Sequence, residues 1–377
     1  MIRFIGLGNA GVHLADRLAM SGHAEIEVIA MNTDTQSLAS SVAARKVALG
    51  PKASRGLGAG GDPEVGYEAA QESLDAIRSA VDGAGILFVC AGLGGGTASG
   101  IAPLLAELAR EAGATVFAVV TSPFAFEGRR RGAQAAEALE LLAVHTHALI
   151  HFENDRMSEL SAPRSGIEET FAAADGTLLS CVTTLADILR GGAPMPIGLA
   201  DLLAVLGGGA PASLFGRGGS TGDNRAHEAL ERALKSPLLD RGRLLADCHS
   251  VIAHVSGPPS LSFSEVAAVM RELNRHASDE AKLFFGVTTS PDAAAPFSVT
   301  LFGNYAGDPD KKAAVPRPSA VPEPQNLRVP APAAAPPAAE EPPPRMPVAP
   351  DSTDAEEPKP LFRSEEHTSE LQSPCNL

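Results

Sequence analysis

The residues best suited to chemistry in this chain are the glycines between positions 92 and 100, where the sequence is GLGGGTASG. They follow an apolar run at 86–90 that predicts a buried strand, and they precede an apolar segment at 101–109 that predicts a helix. Backbone N–H groups at such a turn, together with the positive end of the helix dipole, can hold phosphate oxygens. Glycine lets the backbone approach the phosphates, and Thr97 adds a hydroxyl donor. A flexible loop without a ligand is the competing interpretation, but the position at a strand end favours a phosphate-binding loop.

Two other glycine loops occur earlier in the chain, and the pattern places the three loops at successive strand ends. Residues 6–11 read GLGNAG, and residues 55–64 read RGLGAGGDPE. Three such loops make a longer cradle than a pyrophosphate needs, which favours a nucleoside triphosphate. The pattern GxxxxGK[ST] does not occur in the sequence, so the cradle is not a Walker-type P-loop.

The first loop also allows a different nucleotide. A strand at 2–5, the loop, a helix through about Met20 and a second strand at 25–31 are followed by Asp34. This order is typical of a Rossmann unit that binds NAD, with the acid at the ribose. An NAD-dependent oxidoreductase is therefore an alternative, although the sequence identifies no hydride-transfer residues. Helix–strand packing explains the glycines of this loop equally well.

The composition of the chain limits which kinds of partner it can bind. The chain has 377 residues, of which 44% are hydrophobic, enough to form two domains with sizeable cores. Its net charge of -15 makes nucleic acid an unfavourable partner. The N-terminus enters a strand pattern directly, without a leader pattern, and no apolar run suggests a bilayer span, so we expect a cytoplasmic protein without membrane insertion.

The cysteines and histidines do not form a metal-binding pattern. The histidines at 145, 147 and 151 alternate along one stretch, but no second cluster or acidic pattern completes a site. The sequence therefore predicts no metal ligands and favours a reducing compartment without disulfides. The four cysteines are far apart, at Cys90, Cys181, Cys248 and Cys375.

Strands and helices alternate through the first half of the chain. Helices are predicted at 63–81 and 129–144, and strands at 115–121 and 148–152. Repeated strand–helix units predict an α/β fold with a parallel sheet and right-handed crossovers. Ligands bind such sheets at the carboxyl ends of the strands, which is where all the glycine loops lie.

A second domain and a tail follow. A helix at 168–189 runs without proline and ends at a Gly/Pro-rich break, so we assign 1–190 to a Rossmann-like domain that includes this central helix. Residues 191–307 mix helices and strands and predict a smaller α+β domain. Sixteen of the 30 prolines lie in 308–362, which predicts a disordered Pro/Ala-rich linker. Residues 363–377 resemble a translated sequencing adapter and are set aside.

These motifs together resemble those of a known family. Residues 94–100 look like the tubulin signature, and residues 55–66, 123–131 and 154–156 look like those of bacterial FtsZ, the tubulin-like cell-division GTPase. The resemblance covers about residues 1–306. It implies a GTP-binding domain, a long central helix and a C-terminal polymerisation domain.

The resemblance also implies site residues. In this chain Glu127 and Arg131 would contact the ribose and phosphates, and Asn154, Phe171 and Asp175 the ribose or guanine. A carboxylate suits guanine because N1–H and N2–H2 are adjacent donors. Each has a simpler explanation: Phe171 as a core residue, Asp175 and the arginines as solvated helix residues, and Glu127 as a helix-dipole partner. The phosphate-binding positions would be Gly8, Asn9, Ala10, Gly11, Val12, His13, Asn32, Gly60, Gly61, Gly94, Gly95, Gly96, Thr97 and Ala98.

The sequence departs from the family at two loops. FtsZ carries an Asn-x-Asp-x-x-Asp loop that reaches the nucleotide of the next subunit, and here Pro196 and Gly198 replace two polar groups while Asp201 remains as the catalytic candidate. We therefore expect slow hydrolysis. In the first loop, Asn9, Val12 and His13 stand where glycines and an asparagine are usual. Val12 is β-branched and disfavours φ > 0, so this loop should differ or bind less tightly.

The resemblance implies a GTPase that polymerises head to tail into filaments for bacterial cell division, located in the cytoplasm at the division site. The nucleotide would be GTP or GDP, with Mg²⁺ as an allowed companion. Division proteins would bind through the C-terminal tail. A scaffold that binds GTP but hydrolyses little is the main alternative, and the NAD oxidoreductase is the weaker one.

Overall fold

The computed structural model describes residues 1–162, 164–207, 213–240 and 242–305. The predictions for the linker at 308–362 and for the segment at 363–377 lie outside these residues. The boundaries assigned at 190 and 307 stay predictions.

Six parallel strands form the first sheet, in the order β3-β2-β1-β4-β5-β6. The order reverses between β1 and β4, and a crevice opens at such a switch point at the carboxyl edge of the sheet. The edge strand β3 was not predicted, because it has only four residues and two of them are cationic. The strands are β1 Ile2–Leu7, β2 Ile26–Asn32, β3 Arg45–Ala48, β4 Ile86–Gly92, β5 Thr115–Ser122 and β6 Ala148–Glu153.

Helices cover both faces of this sheet. On one face, Phe4 pairs in register with Phe88, and Phe88 with Phe117, which forms an aromatic row under the covering helices. The helical pattern predicted over 63–81 is confirmed except at Ser73, which separates two helices and whose hydroxyl accepts a bond from the Gly50 N–H at 2.8 Å. The helices are α1 Gly8–Met20, α2 Thr35–Ser40, α3 Pro63–Glu72, α4 Leu74–Val81, α5 Gly96–Glu111, α6 Arg129–His145 and α7 Asn154–Ser158.

A central helix, α8 Ile167–Arg190, extends the predicted helix by one residue at each end. Cys181, Val182 and Leu185 on it are fully buried, in a core shared with Phe152 of the first sheet and Phe215 of the second. By length and composition, α8 is apolar enough to cross a bilayer. The expectation that no segment is apolar enough to span a bilayer is therefore wrong. The apolar residues of α8 are explained by their burial between the two sheets.

The second sheet has the order β7-β10-β8-β9, with β8 and β9 parallel and the other pairs antiparallel. Its α+β character confirms the prediction. Strand β7 was not predicted because it is rich in glycine; a side chain at Gly216 or Gly218 would collide with α10. The elements are α9 Leu199–Leu206, β7 Ser213–Ser220, α10 Arg225–Leu234, β8 Cys248–Gly257, α11 Phe263–His276, β9 Lys282–Thr289 and β10 Phe297–Tyr305.

Candidate nucleotide-binding site

A cavity of about 1180 Å³ lies at the carboxyl edge of the parallel sheet, as the strand order predicts. The three glycine loops and the amino ends of α1, α5, α7 and α8 open onto it. Most of the residues proposed from the sequence line it together: Gly8, Asn9, Ala10, Gly60, Gly61, Gly94, Gly95, Gly96, Thr97, Ala98, Glu127, Arg131, Asn154 and Phe171.

The first loop is short because α1 begins directly at Gly8, which has a φ of 71°. Within the described chain, no side chain caps the first amides of α1, so these amides are available to a ligand. The side chain of Asn32 donates to Asn9 Oδ1 at 2.6 Å and holds it beside the loop. Val12 lies inside the helix, where φ is negative, and is buried in the core. The expectation that Val12 would have to adopt a positive φ in this loop is therefore wrong.

The glycines of the other two loops have different structural roles. Gly60 and Gly61 have φ values of 59° and 77°, with open space around them, so they serve the backbone conformation. Gly94 has a φ of 89°, and its N–H donates to Ser99 Oγ at 2.8 Å. Gly95 precedes the first residue of α5, a helix without a side-chain cap among the described residues.

Gly96 has a packing role. A Cβ at Gly96 would lie 2.6 Å from the backbone N and O of Asp62, so glycine here lets α5 approach the start of α3. Gly66 and Gly100 make the same close approach further along the two helices. Gly11 likewise packs against the carbonyl of Cys90 on β4, as the helix–strand packing alternative predicts. These close contacts position the helices and therefore the loops next to them.

Glu127 and Arg131 form one unit at the side of the cavity. Glu127 Oε1 accepts the N–H of Phe124 at 2.9 Å, and Oε2 pairs with the Arg131 guanidinium. Arg131 Nε donates to the carbonyl of Gly94 at 3.3 Å. The pair therefore connects the start of α6 to the glycine loop and places a cation at the cavity.

An aromatic wall lies beside this pair. Phe124 stacks on Phe126, with ring centroids 4.9 Å apart, and meets Phe171 edge to face at 5.8 Å. Phe171 is 48% exposed and Phe126 82%, so neither is a core residue. A flat apolar surface of this kind suits a nucleobase. Phe124 and Phe126 were missed as site residues, although two aromatics two positions apart beside the charged run were the available signal.

Three carboxylates line the cavity, and all three have partners. Asp34 caps α2 by accepting the Gln36 N–H at 2.9 Å, Asp155 accepts the Ala125 N–H at 3.1 Å, and Glu127 is paired as described. A divalent cation here would therefore have phosphate and water oxygens as its main ligands.

Five predicted binding residues do not line the cavity: Gly11, Val12, His13, Asn32 and Asp175. Asn32 is buried beneath Asn9. Asp175 Oδ2 accepts from Nδ1 of His13 at 3.0 Å and from Nη1 of Arg17 at 3.2 Å, which joins α8 to α1.

Asp201 is not among the residues that line the cavity. Its Oδ2 accepts the Gly198 N–H at 3.1 Å at the start of α9. The cavity is at the amino end of α8, whereas Arg190 at the carboxyl end pairs with Glu25, just before β2 and hence at the opposite edge of the sheet. A 24-residue helix is about 36 Å long. Gly207, just past the end of α9, lies near the carbonyl of His147, which precedes β6, so α9 ends at this same opposite edge of the sheet.

The histidines at 145, 147 and 151 do not converge on a metal. His147 Nδ1 accepts the Val116 N–H at 3.0 Å, and burial lowers the pKa of His151 to about 4. In the described part of the chain, the one group with metal-ligand spacing is His23, Glu25 and Asp187, away from the cavity. Arg190 already pairs with both of its carboxylates.

A 3-2-1-4-5-6 parallel sheet with glycine loops on its carboxyl edge, joined by a long helix to a second sheet, defines a nucleotide-binding fold of the tubulin type. Residues 1–162 match the family model described as Tubulin/FtsZ family, GTPase domain, and residues 211–302 match FtsZ family, C-terminal domain. The chain belongs to the Tubulin/FtsZ family.

Solved structures agree with this assignment. An empty FtsZ dimer from M. jannaschii is 35% identical, with a TM-score of 0.72 over 80% of this chain and 87% of that one. A tryptophan-to-tyrosine mutant of FtsZ from M. jannaschii is 34% identical, with a TM-score of 0.71 over 80% and 90%. A GTPgS-bound protofilament of CetZ2 from Haloferax volcanii shares the fold at 22% identity, with a TM-score of 0.65 over 83% and 96%.

Proposed function

We propose that this protein binds GTP or GDP in the cavity at the carboxyl edge of its parallel sheet. The uncapped amides of α1 and α5, the turn at 60–61 and the Thr97 hydroxyl would hold the phosphates. Arg131 would add positive charge, and Phe171 would pack against the base. Asn154, at the start of α7, is a candidate for the ribose. A Mg²⁺ ion would be held through the phosphates and water.

We further propose that copies of the chain assemble head to tail into filaments. The observation that carries this proposal is that Asp201 does not line the cavity, whereas α9, which begins beside it, ends at the opposite edge of the sheet. In that position Asp201 would act on the nucleotide of a neighbouring copy. A contact between different surfaces of two copies does not close on itself and extends into a filament.

Hydrolysis would take place at that contact, with Asp201 as the residue that helps to activate water. Pro196 and Gly198 offer no side-chain polar groups beside it. Positioned acid–base groups typically contribute about 10²–10⁴-fold to a rate, so we expect slow turnover. The same two residues favour the second candidate function, a GTP-binding scaffold that forms filaments and hydrolyses little.

GTP turnover measured across protein concentrations tests the proposal. A turnover rate per subunit that rises with concentration indicates a site built between subunits. We expect Asp201→Ala to abolish phosphate release while GTP binding stays unchanged. Filaments that pellet with GTP but release no phosphate would favour the scaffold, and a protein that stays monomeric when saturated with GTP would contradict both.

The NAD alternative has little support. The carboxylate of Asp34, the residue proposed for the ribose of NAD, already caps α2. The cavity also receives two further glycine loops that a pyrophosphate would leave unused.

For the cellular role we propose a cytoskeletal filament in the cytoplasm, with bacterial cell division as the process. A different cytoskeletal role is the alternative, because the fold is shared with CetZ as well as FtsZ. Residues 308–362 would join the filament to other division proteins. The acidic chain, with its net charge of -15, is not expected to bind nucleic acid.

A further inference from the structure

The segment that precedes Asp201 lies along the outer edge of the second sheet. Strand β9 is the last in the order β7-β10-β8-β9, so one of its edges has no neighbouring strand in the described part of the chain. Met195 forms an isolated antiparallel bridge with Val287 on that edge. The Val287 N–H donates to the carbonyl of Met195 at 2.9 Å, and the Met195 N–H donates to the carbonyl of Val287 at 3.4 Å. The segment is therefore paired with β9 like a very short strand.

A side-chain contact continues this pairing where hydrogen bonds cannot. Pro194 and Pro196, on either side of Met195, have no N–H group to donate to a strand. Ile197 is 7% exposed and packs against Gly286 of β9. A Cβ at Gly286 would lie 2.6 Å from Cγ1 of Ile197 and 3.1 Å from the carbonyl oxygen of Met195. Glycine at this position therefore lets the segment lie directly on the strand.

The connection of the segment to α8 is much less constrained. Gly191 and Gly192, which follow the last residue of α8, have φ values of 77° and 78°. A Cβ at either glycine would meet no described atom within 4 Å. Glycine also allows the widest range of backbone conformations. The segment is therefore bonded to the second sheet, whereas two unpacked glycines join it to the central helix.

Asp201 is attached to the end of this segment. Its Oδ2 accepts the N–H of Gly198, the residue after Ile197, at 3.1 Å. The place of the carboxylate therefore depends on where the segment lies. We infer that the second sheet, through this segment, positions Asp201 at the contact between copies. The positioning residues are Met195, Ile197 and Gly286, and the inference rests on the proposed hydrolysis by a neighbouring copy.

GTP turnover of the full chain, at a protein concentration that saturates assembly, tests this inference. Gly286→Ala places a methyl group against Ile197 and should move the segment by about 1 Å, to an ordinary contact distance. A displacement of about 1 Å can cost about 100-fold in rate, so we expect turnover to fall about tenfold or more. The dissociation constant for GTP should stay within about twofold, because neither residue lines the cavity.

A second substitution distinguishes positioning from general damage to the fold. Ile197→Ala removes Cγ1 and Cδ1, the two carbon atoms nearest to the added methyl group. Combined with Gly286→Ala, it should restore turnover by about fivefold or more, whereas independent damage from two changes would add. Gly303→Ala is the matched control: its Cβ would lie 2.9 Å from Sγ of Cys248 in the same sheet, away from the segment, and turnover should stay within about twofold.

Hydrogen exchange of the Val287 amide, which bonds to Met195, reports the docking of the segment directly. We expect exchange about tenfold faster or more in Gly286→Ala. The inference would be overturned by turnover within about twofold of the wild type in Gly286→Ala, by no recovery in the double variant, or by unchanged Val287 exchange. A wild type that binds GTP but releases no phosphate would instead overturn the proposed hydrolysis, and Val287 exchange would then decide the inference alone.

Discussion

The hydroxyl oxygens of Thr33 and Thr97 lie 2.6 Å apart and join the end of β2 to the first turn of α5. Thr97 lines the cavity, whereas Thr33 is 1% exposed. One hydroxyl pair therefore links the ligand-facing loop to the buried sheet. It fixes the rotamer of Thr97 before any ligand arrives.

Replacing Thr97 by valine keeps the shape and removes this hydroxyl. We expect GTP affinity to fall about tenfold, because a hydrogen bond to a charged phosphate contributes about 1.5–3 kcal/mol. Titration with a fluorescent GTP analogue measures this loss of affinity. Thr33→Val breaks the same hydroxyl pair from the buried side: it should lower the free energy of unfolding by about 1 kcal/mol and reduce GTP affinity less than Thr97→Val does, because the Thr97 hydroxyl remains. Equal affinity losses in both variants would contradict a direct role for Thr97.

Arg131 is the member of the arginine run that contacts the glycine loop. Arg131→Ala removes its bond to the Gly94 carbonyl and its pairing with Glu127, and we expect GTP affinity to fall by about tenfold or more. Arg129→Ala, an exposed change two residues earlier that does not touch the cavity, should have no effect beyond about twofold. The same titration compares the two variants, and similar losses in both would indicate only a general effect of charge.

Adjacent glycines in the signature loop should respond differently to alanine. At Gly96, a Cβ would meet the backbone of Asp62 at 2.6 Å, so Gly96→Ala should lower the free energy of unfolding by about 1–3 kcal/mol. At Gly95, where the nearest atom is the Arg131 guanidinium at 4.0 Å, alanine should be tolerated by the fold. Urea denaturation without nucleotide measures both. A stable Gly96→Ala protein would show that α3 and α5 can separate.

The sequence was sufficient to predict the edge of the sheet at which the glycine loops and the cavity lie. Buried strands at 86–90 and 115–121 and the glycines between them depend on local patterns, and they lie where the periodicity predicts. The separate reasons for Gly60 and Gly96 could not be predicted. Gly60 is needed because its backbone has a positive φ. Gly96 is needed because α5 packs closely against α3, a helix that is distant in the sequence.

Long-range partners account for the other differences. Ser73 breaks a helix because its hydroxyl bonds to Gly50, and no local pattern encodes that contact. Val12 escapes a positive φ because α1 begins four residues earlier, at Gly8. The pairing of His13 with Asp175 joins residues 162 positions apart, and a single sequence carries no signal for it.

Buried histidines should make the protein sensitive to acid. Burial lowers the pKa of His254 to about 4, with a smaller effect from the charge of Arg217, and burial alone lowers that of His151 to about 4. Because these pKa values lie below the unfolded value near 6.5, the stabilisation is complete above about pH 6.5 and is lost as the pH falls towards 4. Each histidine should contribute up to about 1.4 kcal/mol per pH unit in that window.

Urea midpoints at pH 7.0, 6.0 and 5.0 measure this loss. His254→Gln should make the free energy of unfolding lower at pH 7 and less dependent on pH. His249→Gln, at an exposed position on the same strand, is the control and should keep the wild-type slope. An unchanged slope in His254→Gln would show that His254 is not the titrating group.

The backbone contact of α3 with α5 through Gly66, Gly96 and Gly100 has a mechanical consequence. The two helices are in direct backbone contact, with no side chains between them that could repack. The turns at 60–61 and 94–96 lead into these helices, so we expect the distance between the turns to stay fixed. In the proposed nucleotide site, exchange of a triphosphate for a diphosphate would leave these two turns at the same separation. We would then expect any displacement at the aromatic wall, where Phe171 is 48% exposed. Since Phe171 lies on α8, such a displacement would act on that helix.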